Sequence, residues 1–378
     1  MKSKLNVLHI IATMDVGGAE RQIVEFFRII DRDKFNPMIC CLTHGGLLLK
    51  EIEAEGIKSV VFHKQSKLDF SIIFKLARLM KQEKIDIVHT WMFTSNTFGR
   101  IAAKFARVPV VITTEVCMAD LFKNILQRLV DKFLVGWSDI IIACSSGVRM
   151  SHITEERIPS GKIITINNGV NTQNFQPSVF SEERKKKVFA LKNSIPVIGA
   201  VGRLVDKKGF EYFLEAAKEA LKYRQLKFII VGEGYLRSKL ENLSAKLGIS
   251  DSLIFMGYQE NILEIFNLLD IFVVPSLSEG LSVTLLEGMA MAKPIVATNI
   301  AGNTEVMINR KTGILIPPEN SQAMAKALIE LLDNPEFACK VGQEARIHIE
   351  KEYSILNYKK KIENIYETFS RKKNKKIY

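Results

Sequence analysis

The sequence predicts an α/β protein of two doubly wound, parallel-sheet domains, and three observations carry that prediction. Short apolar runs alternate with helical stretches almost without interruption, the pattern of repeated βαβ units. A polar and charged stretch, NTQNFQPSVFSEERKKKVFALKNS at 171–194, breaks the alternation near the middle. The 378 residues suffice for two cores of ordinary size, and 47% of them are apolar.

Element by element, LNVLHIIAT gives a strand over 5–13, and the Gly-Gly after it heads a helix over 18–30. Strand 36–43, helix 46–55, strand 58–63 and helix 70–83 follow. Strand 85–91 (IDIVHTW), helix 95–106 and strand 109–114 come next, then helix 119–136 and strands 139–145 and 162–167. These strands are apolar and rich in β-branched residues, as buried parallel strands are. The pattern restarts with strand 195–202, helix 209–222, strand 226–231, helix 235–247, strand 253–257, helix 261–268 and strand 271–275. A helix at 282–291, strand 294–298, a short segment near 303–309, strand 313–316 and helices 321–333 and 336–351 complete it. An amphipathic helix over about 354–369 closes the chain. The domains are expected at 1–175 and 190–350.

Composition narrows the function. Five cysteines (Cys40, Cys41, Cys117, Cys144, Cys339) form no CxxC pair and fit a reducing, cytoplasmic setting. The short apolar start runs into Asp-Val-Gly-Gly without a cleavage site, and no apolar run approaches the ~20 residues that span a bilayer. Residues 1–190 hold 27 Lys+Arg against 19 Asp+Glu, two thirds of the net charge of +12, and RKKNKK at 371–376 adds a separate run. No zinc-ligand spacing, RNA-recognition signature or basic aromatic helix accompanies it, so nucleic acid is not the expected partner. An anionic membrane surface or a phosphate-bearing acceptor accounts for the charge, and so does a solvated lysine-rich surface.

The densest chemistry lies in PSLSEGLSVTLLEGMA, 275–290. Glu279 falls just beyond the apolar strand IFVV, where open α/β sheets bind ligands, and the following helix aims its N-terminal N–H groups into the same crevice. Glu287 lies eight residues on. This Glu-x7-Glu pair after a Pro-Ser strand end resembles the retaining glycosyltransferases of the GT-B fold, in particular their large sucrose-synthase- and mannosyltransferase-like family, glycosyl transferases group 1. The resemblance implies two facing Rossmann-like domains across a deep cleft, with the last helix (354–378) crossing back to the first. It implies that Glu279 contacts the transferred sugar and Glu287 the ribose of a nucleotide-sugar donor, with Gly280, Leu281 and Ser282 lining the same site.

A second constellation is VGRLVDKKGF, 201–210. A strand ends at Gly202, Arg203, Lys207 and Lys208 follow, and Gly209 opens a helix, a build suited to a diphosphate. The segment is similar to the family's donor-diphosphate loop, which makes Arg203 and Lys208 the ligands. Because these cations can neutralise the leaving group, no metal or other cofactor is expected. Asp31-Arg32-Asp33 has Asp-x-Asp spacing but reads as a turn. Gly17-Gly18 resembles the family's flexible glycine loop. Gly232 follows strand KFIIV where nucleotide bases often rest, and the 301–306 turn AGNTEV carries Asn303 where the family has a second glycine.

In the first domain the resemblance makes His89 an active-site residue at a strand end facing the cleft. Trp91 replaces the family's frequent second histidine and is offered as a stacking platform for the acceptor, with Asn96 and Glu115 on the same side. The helix ADLFKNILQRLVDKFLVGW, 119–137, sets Leu121, Phe122, Ile125, Leu126, Leu129, Val130 and Phe133 on one broad face beside Lys123, Arg128 and Lys132. It reads either as a core-facing helix or as one that dips into a membrane interface to collect a lipid-linked acceptor. The function these readings imply is metal-independent, retaining transfer of a sugar to a glycan or polyprenol-linked hydroxyl in polysaccharide or lipopolysaccharide synthesis, by a cytoplasmic enzyme peripheral to the membrane. A nucleotide-sugar epimerase and a non-catalytic binding module on the same fold are the alternatives.

Overall fold

The computed structural model describes residues 4–66, 69–118, 124–178 and 182–374. It divides into two units, Met1–Gly169 with Ile355–Tyr378, and Val170–Ser354. In the first, β1 (Leu5–Thr13) turns Val7 and Ile11 to one side and Leu8 and Ile10 to the other, all fully buried. A strand covered on both faces must be central, and it is. With β2 (Phe35–His44), β3 (Lys58–Val61), β4 (Ile87–Trp91), β5 (Val110–Glu115), β6 (Ile140–Ala143) and β7 (Ile163–Thr165) it forms a parallel sheet of order β3-β2-β1-β4-β5-β6-β7.

Helices α1 (Gly18–Ile29) and α2 (Leu49–Ala54) bury their apolar sides on one face of this sheet. Helices α3 (Ser71–Gln82) and α4 (Met92–Ala106) cover the other. Helix α5 (Ile125–Leu134) lies against α4, opened by a reciprocal cap between Asn124 and Gln127. Helix α6 (Ser146–Glu155) was not expected from the sequence. Only Val148, Ser151 and His152 of its residues are buried, so it shows little apolar periodicity, and its start is fixed by Ser145 Oγ accepting from the Val148 N–H at 3.1 Å.

The second unit begins with α7 (Glu182–Val188), inside the stretch read as a linker. Its Lys185 ammonium donates to Asp270 at 2.6 Å and Phe189 behind it is fully buried, which ties the segment to this unit. Strands β8 (Val197–Val201), β9 (Lys227–Val231), β10 (Leu253–Gly257), β11 (Ile271–Val274), β12 (Ile295–Thr298) and β13 (Ile314–Ile316) form a parallel sheet of order β10-β9-β8-β11-β12-β13. The intervening helices are α8 (Phe210–Leu221), α9 (Arg237–Leu247), α10 (Ile262–Leu268), α11 (Val283–Ala290), the single turn α12 (Ala301–Thr304), α13 (Ser321–Asp333) and α14 (Pro335–Glu352). Both sheets share one winding. The chain builds outward from a central strand to one edge, then returns to the other side, so the winding reverses between β1 and β4 and between β8 and β11. Open α/β sheets bind ligands at such reversals.

The chain enters and leaves the second unit side by side, the Val170 N–H donating to Tyr353 O at 2.9 Å beside a Val170–Ser354 bridge. Helix α15 (Ile355–Asn374) then joins the first unit, burying Ile355, Tyr358, Ile362 and Tyr366 in the core beneath α1. Glu363 accepts from the Asp31 N–H at 2.8 Å, and Lys34 and Lys373 pair with Glu367 and Asp139 at 3.0 and 2.9 Å. Among the described residues no helix is long and apolar enough to cross a membrane.

Candidate active site

The β8–β11 reversal is where most of the expected donor residues meet. Glycines make the close approach there. Gly232 has φ +132°, and a Cβ on it would lie 2.0 Å from Gly202 O, so the loops after β8 and β9 touch backbone to backbone. Gly209, at φ +62°, would set a Cβ 2.3 Å from Pro275 O. Between these contacts Asp206–Lys208 forms a single 3-10 turn, and the Leu277 N–H donates to Lys207 O at 2.8 Å. The cationic loop after β8 and the Glu279 loop after β11 are thereby one framework.

Across that framework Lys208 Nζ donates to Glu279 Oε1, each side chain at least 86% withdrawn from solvent. Ser276 Oγ donates to the same carboxylate oxygen at 2.7 Å. Burial by itself drives the Glu279 carboxyl up. The Lys208 ammonium, the two hydrogen bonds and the charge of Lys207 outweigh it and hold the group below its ordinary range. Glu279 is therefore an ionised acceptor at neutral pH. Its loop is held from beneath: Thr298 Oγ1 donates to Ser276 O, Asn303 Nδ2 donates to Thr298 O at 2.9 Å, and a Cβ on Gly302 would meet Glu279 O at 2.6 Å. Sequence reading missed Ser276, Thr298 and Gly302. Asn303, which stands where the family has a second glycine, is fully buried and its amide nitrogen is spent on Thr298.

The other donor-side residues fall nearby on the chain. Gly280 and Leu281 lead into α11, whose N-cap Ser282 accepts from the Leu285 N–H at 3.3 Å. Glu287 sits in the second turn of α11, nearly buried. Arg203 is exposed, while the Lys208 stem runs over Gly202, within 3.5 Å of where a Cβ would stand. Arg203 thus stays exposed on the same loop as an ammonium already committed to a carboxylate.

The first unit corrects several expectations. Gly17 caps α1 at the β1–β4 reversal, where a Cβ on it would lie 2.3 Å from Glu20 Oε2, and Gly18 beside it is exposed. His89 does not face open space. Strand β4 runs on to Trp91, so His89 lies two residues inside it and points beneath α15. There a hydrogen-bonded chain links Trp91 Nε1 to His9 Nδ1 (3.1 Å), His9 Nε2 to Tyr366 Oη (2.9 Å), Tyr366 Oη to His89 Nδ1 (2.7 Å) and His89 Nε2 to Thr114 Oγ1 (2.7 Å). The indole can only donate, which assigns the rest: both imidazoles are neutral, protonated at Nε2, and each proton finds one acceptor. Burial depresses both histidines, His89 to about 3. Trp91, fully enclosed, offers no face to an acceptor. Asn96 is likewise buried, taking the Thr90 hydroxyl at 2.7 Å and donating to Glu115 at 2.8 Å. Glu115 in turn lies 3.9 Å from His152. These four residues are core polar groups with partners. Asp31-Arg32-Asp33 is the turn it resembled, the Asp33 N–H donating to Asp31 Oδ1 at 3.0 Å.

Comparisons with known proteins agree with this geometry. Residues 181–348 match the family model "Glycosyl transferases group 1", and residues 16–174 match "Glycosyltransferase Family 4". The chain is 28% identical to the UDP-Gal:alpha-D-GlcNAc-diphosphoundecaprenol alpha-1,3-galactosyltransferase of Escherichia coli, over 96% of this chain and 97% of that one. It is 23% identical to the capsular polysaccharide biosynthesis glycosyltransferase CapM of Staphylococcus aureus over the same shares. Among solved structures, Anabaena HepE in complex with UDP and glucose superposes with a TM-score of 0.88 at 18% identity, covering 96% of this chain and all of that one. Two sheets wound alike, two family models end to end and relatives matched over nearly their full length make the chain a GT-B glycosyltransferase with a glycosyltransferase family 4 domain followed by a glycosyl transferases group 1 domain.

Proposed function

We propose that this glycosyltransferase moves a hexosyl or N-acetylhexosaminyl group from a nucleotide-diphosphate sugar, UDP ahead of GDP, to a hydroxyl of a glycan or polyprenol-linked acceptor. The transfer retains anomeric configuration, uses no metal, and serves cell-surface polysaccharide or lipopolysaccharide assembly at the cytoplasmic side of an anionic membrane. The observation that carries the reading is the Lys208–Glu279 couple at the β8–β11 reversal, with exposed Arg203 on the same loop as Lys208. The Escherichia coli relative, whose name specifies UDP-Gal and a diphosphoundecaprenol-linked sugar, supports the choice of donor and acceptor class.

In this mechanism the donor's diphosphate takes Arg203 and Lys208, and Glu279, relieved of part of its pairing, accepts from the sugar hydroxyls. Glu287 holds the ribose. The bond from the anomeric carbon to the leaving phosphate oxygen breaks as the acceptor oxygen attacks from the same face, and the acceptor proton passes to that phosphate. Charge that develops on the leaving group is met by fixed cations, so no protein nucleophile is needed. The test is a thermal-shift panel of UDP- and GDP-sugars without divalent metal, then transfer from the best donor to a polyprenol-diphosphate sugar with the product anomer read by NMR. Stabilisation by one donor, its loss in Glu287→Ala, and a retained anomer are the expected results. Acceptor-free isomerisation of the nucleotide sugar would favour the epimerase reading, and donor binding without turnover the binding module.

A further inference from the structure

Helices α3, α4 and α5 form one layer over the first unit's sheet, α3 against α4 and α4 against α5. The last of them is turned inside out. Its one carboxylate, Asp131, faces inward to a fully buried ion pair with Arg100 of α4, while its apolar side faces outward. Leu126, Leu129 and Phe133 are 72%, 56% and 74% exposed. A second apolar patch lies on the same layer, where Phe74 and Phe105 are 70% and 59% exposed and their rings stack on each other at 6.3 Å. The core-facing alternative for the 119–137 helix is thus excluded for the described part, and Leu121, Phe122 and Lys123 lie outside the described residues.

The charge of this layer is one-sided. With Arg100 and Asp131 cancelling inside, the three helices present six cations and no carboxylate. Lys75, Lys104 and Lys132 each adjoin one of the three outward phenylalanines and are themselves exposed. Among the described residues, neighbouring carboxylates are engaged: Asp69 with Ser71, Glu83 with Lys58 at 2.7 Å, and Glu155 with Arg128 at 3.4 Å. Helix α1 on the opposite face carries two acids and two cations by contrast. Exposed rings and aliphatics rimmed by lysine suit an anionic headgroup layer, which takes the apolar groups into its acyl boundary and the ammonium groups at its phosphates.

We propose that the α3–α4–α5 face is an interfacial membrane-docking surface for anionic phospholipid. The inference rests on the lipid-linked acceptor reading for its purpose, but its test does not. The full chain is floated with phosphatidylcholine vesicles, with and without phosphatidylglycerol. It is expected to float with the anionic vesicles only and to be released by salt. Leu129→Ser with Phe133→Ser should abolish flotation, and each of Lys75→Gln, Lys104→Gln and Lys132→Gln should weaken it by about five-fold. All five positions are outward-facing, so unchanged melting confirms an intact fold. No flotation of the wild type, or equal flotation of the variants, overturns the proposal. So does an oligomer that the same variants dissociate without any vesicle binding, which would make the face an interface between copies. Donor thermal shift is read on the same samples, so failure of the transferase reading is seen separately.

Discussion

Arg203 and Lys208 lie five residues apart and are not equivalent. Lys208 is held by Glu279 before any ligand arrives, whereas the Arg203 side chain is exposed. Arg203→Ala should therefore lower kcat by about 10²–10³-fold, the scale for losing one charge-stabilising donor, with the folded state untouched. Steady-state kinetics check this, and unchanged turnover would remove Arg203 from the leaving-group site. Lys208→Met should do more than lower turnover, because it strands a nearly buried carboxylate. We expect a loss of about 3 kcal/mol in denaturant unfolding, restored in Lys208→Met with Glu279→Gln. That the loops after β8 and β11 meet was legible because their glycines, cations and Glu-x7-Glu pair are local in sequence. His89 was misread for the opposite reason. The residue that encloses it, Tyr366, lies 277 positions away, and nothing in DIVHTWMF announces it.

At the scale of elements, α15 is the lid of the first unit's core and brings the hydroxyl that completes the Trp91–His9–Tyr366–His89–Thr114 chain. Tyr366→Phe leaves the packing but removes that hydroxyl, and should cost about 1–3 kcal/mol by thermal or urea unfolding. The same chain sets an acid sensitivity. Folded His89 titrates at about 3 and the unfolded residue near 6.5, so between these values the unfolded chain binds the extra proton. Stability is fully present above about pH 6.5 and falls as pH drops toward 3, by on the order of 4 kcal/mol for this residue. Urea midpoints across that range should show the slope, and His89→Phe should flatten it. Asp131→Ala, which strands Arg100 between α4 and α5, should cost about 3–5 kcal/mol. Most elements were legible from alternation alone. Helix α6 was not, since its start rests on a serine cap and it buries few apolar side chains.

The whole molecule is one unit inserted into another. The second unit, Val170–Ser354, interrupts the first, and its entry and exit backbones are hydrogen-bonded to each other. Removing Ile355–Tyr378 should therefore unfold the first unit, by loss of Ile355, Tyr358, Ile362 and Tyr366 from its core, while the second keeps its donor-dependent thermal shift. Two calorimetric transitions in the intact chain, only one of them raised by a nucleotide sugar, would show the same division.

The insertion also fixes an order of events during synthesis. The ribosome delivers the seven strands of the first sheet, then the complete second unit, and only afterwards the helix that carries Tyr366. For the time it takes to translate some 190 residues, His9 and His89 have no hydroxyl between them and the α1 side of the sheet lacks the part of its cover that α15 supplies. Nascent chains fold domain by domain at about 5–20 residues per second, so that interval lasts roughly ten seconds or more. The half of the enzyme made first is the half finished last, and during that wait its uncovered aromatic face is a natural client for a chaperone.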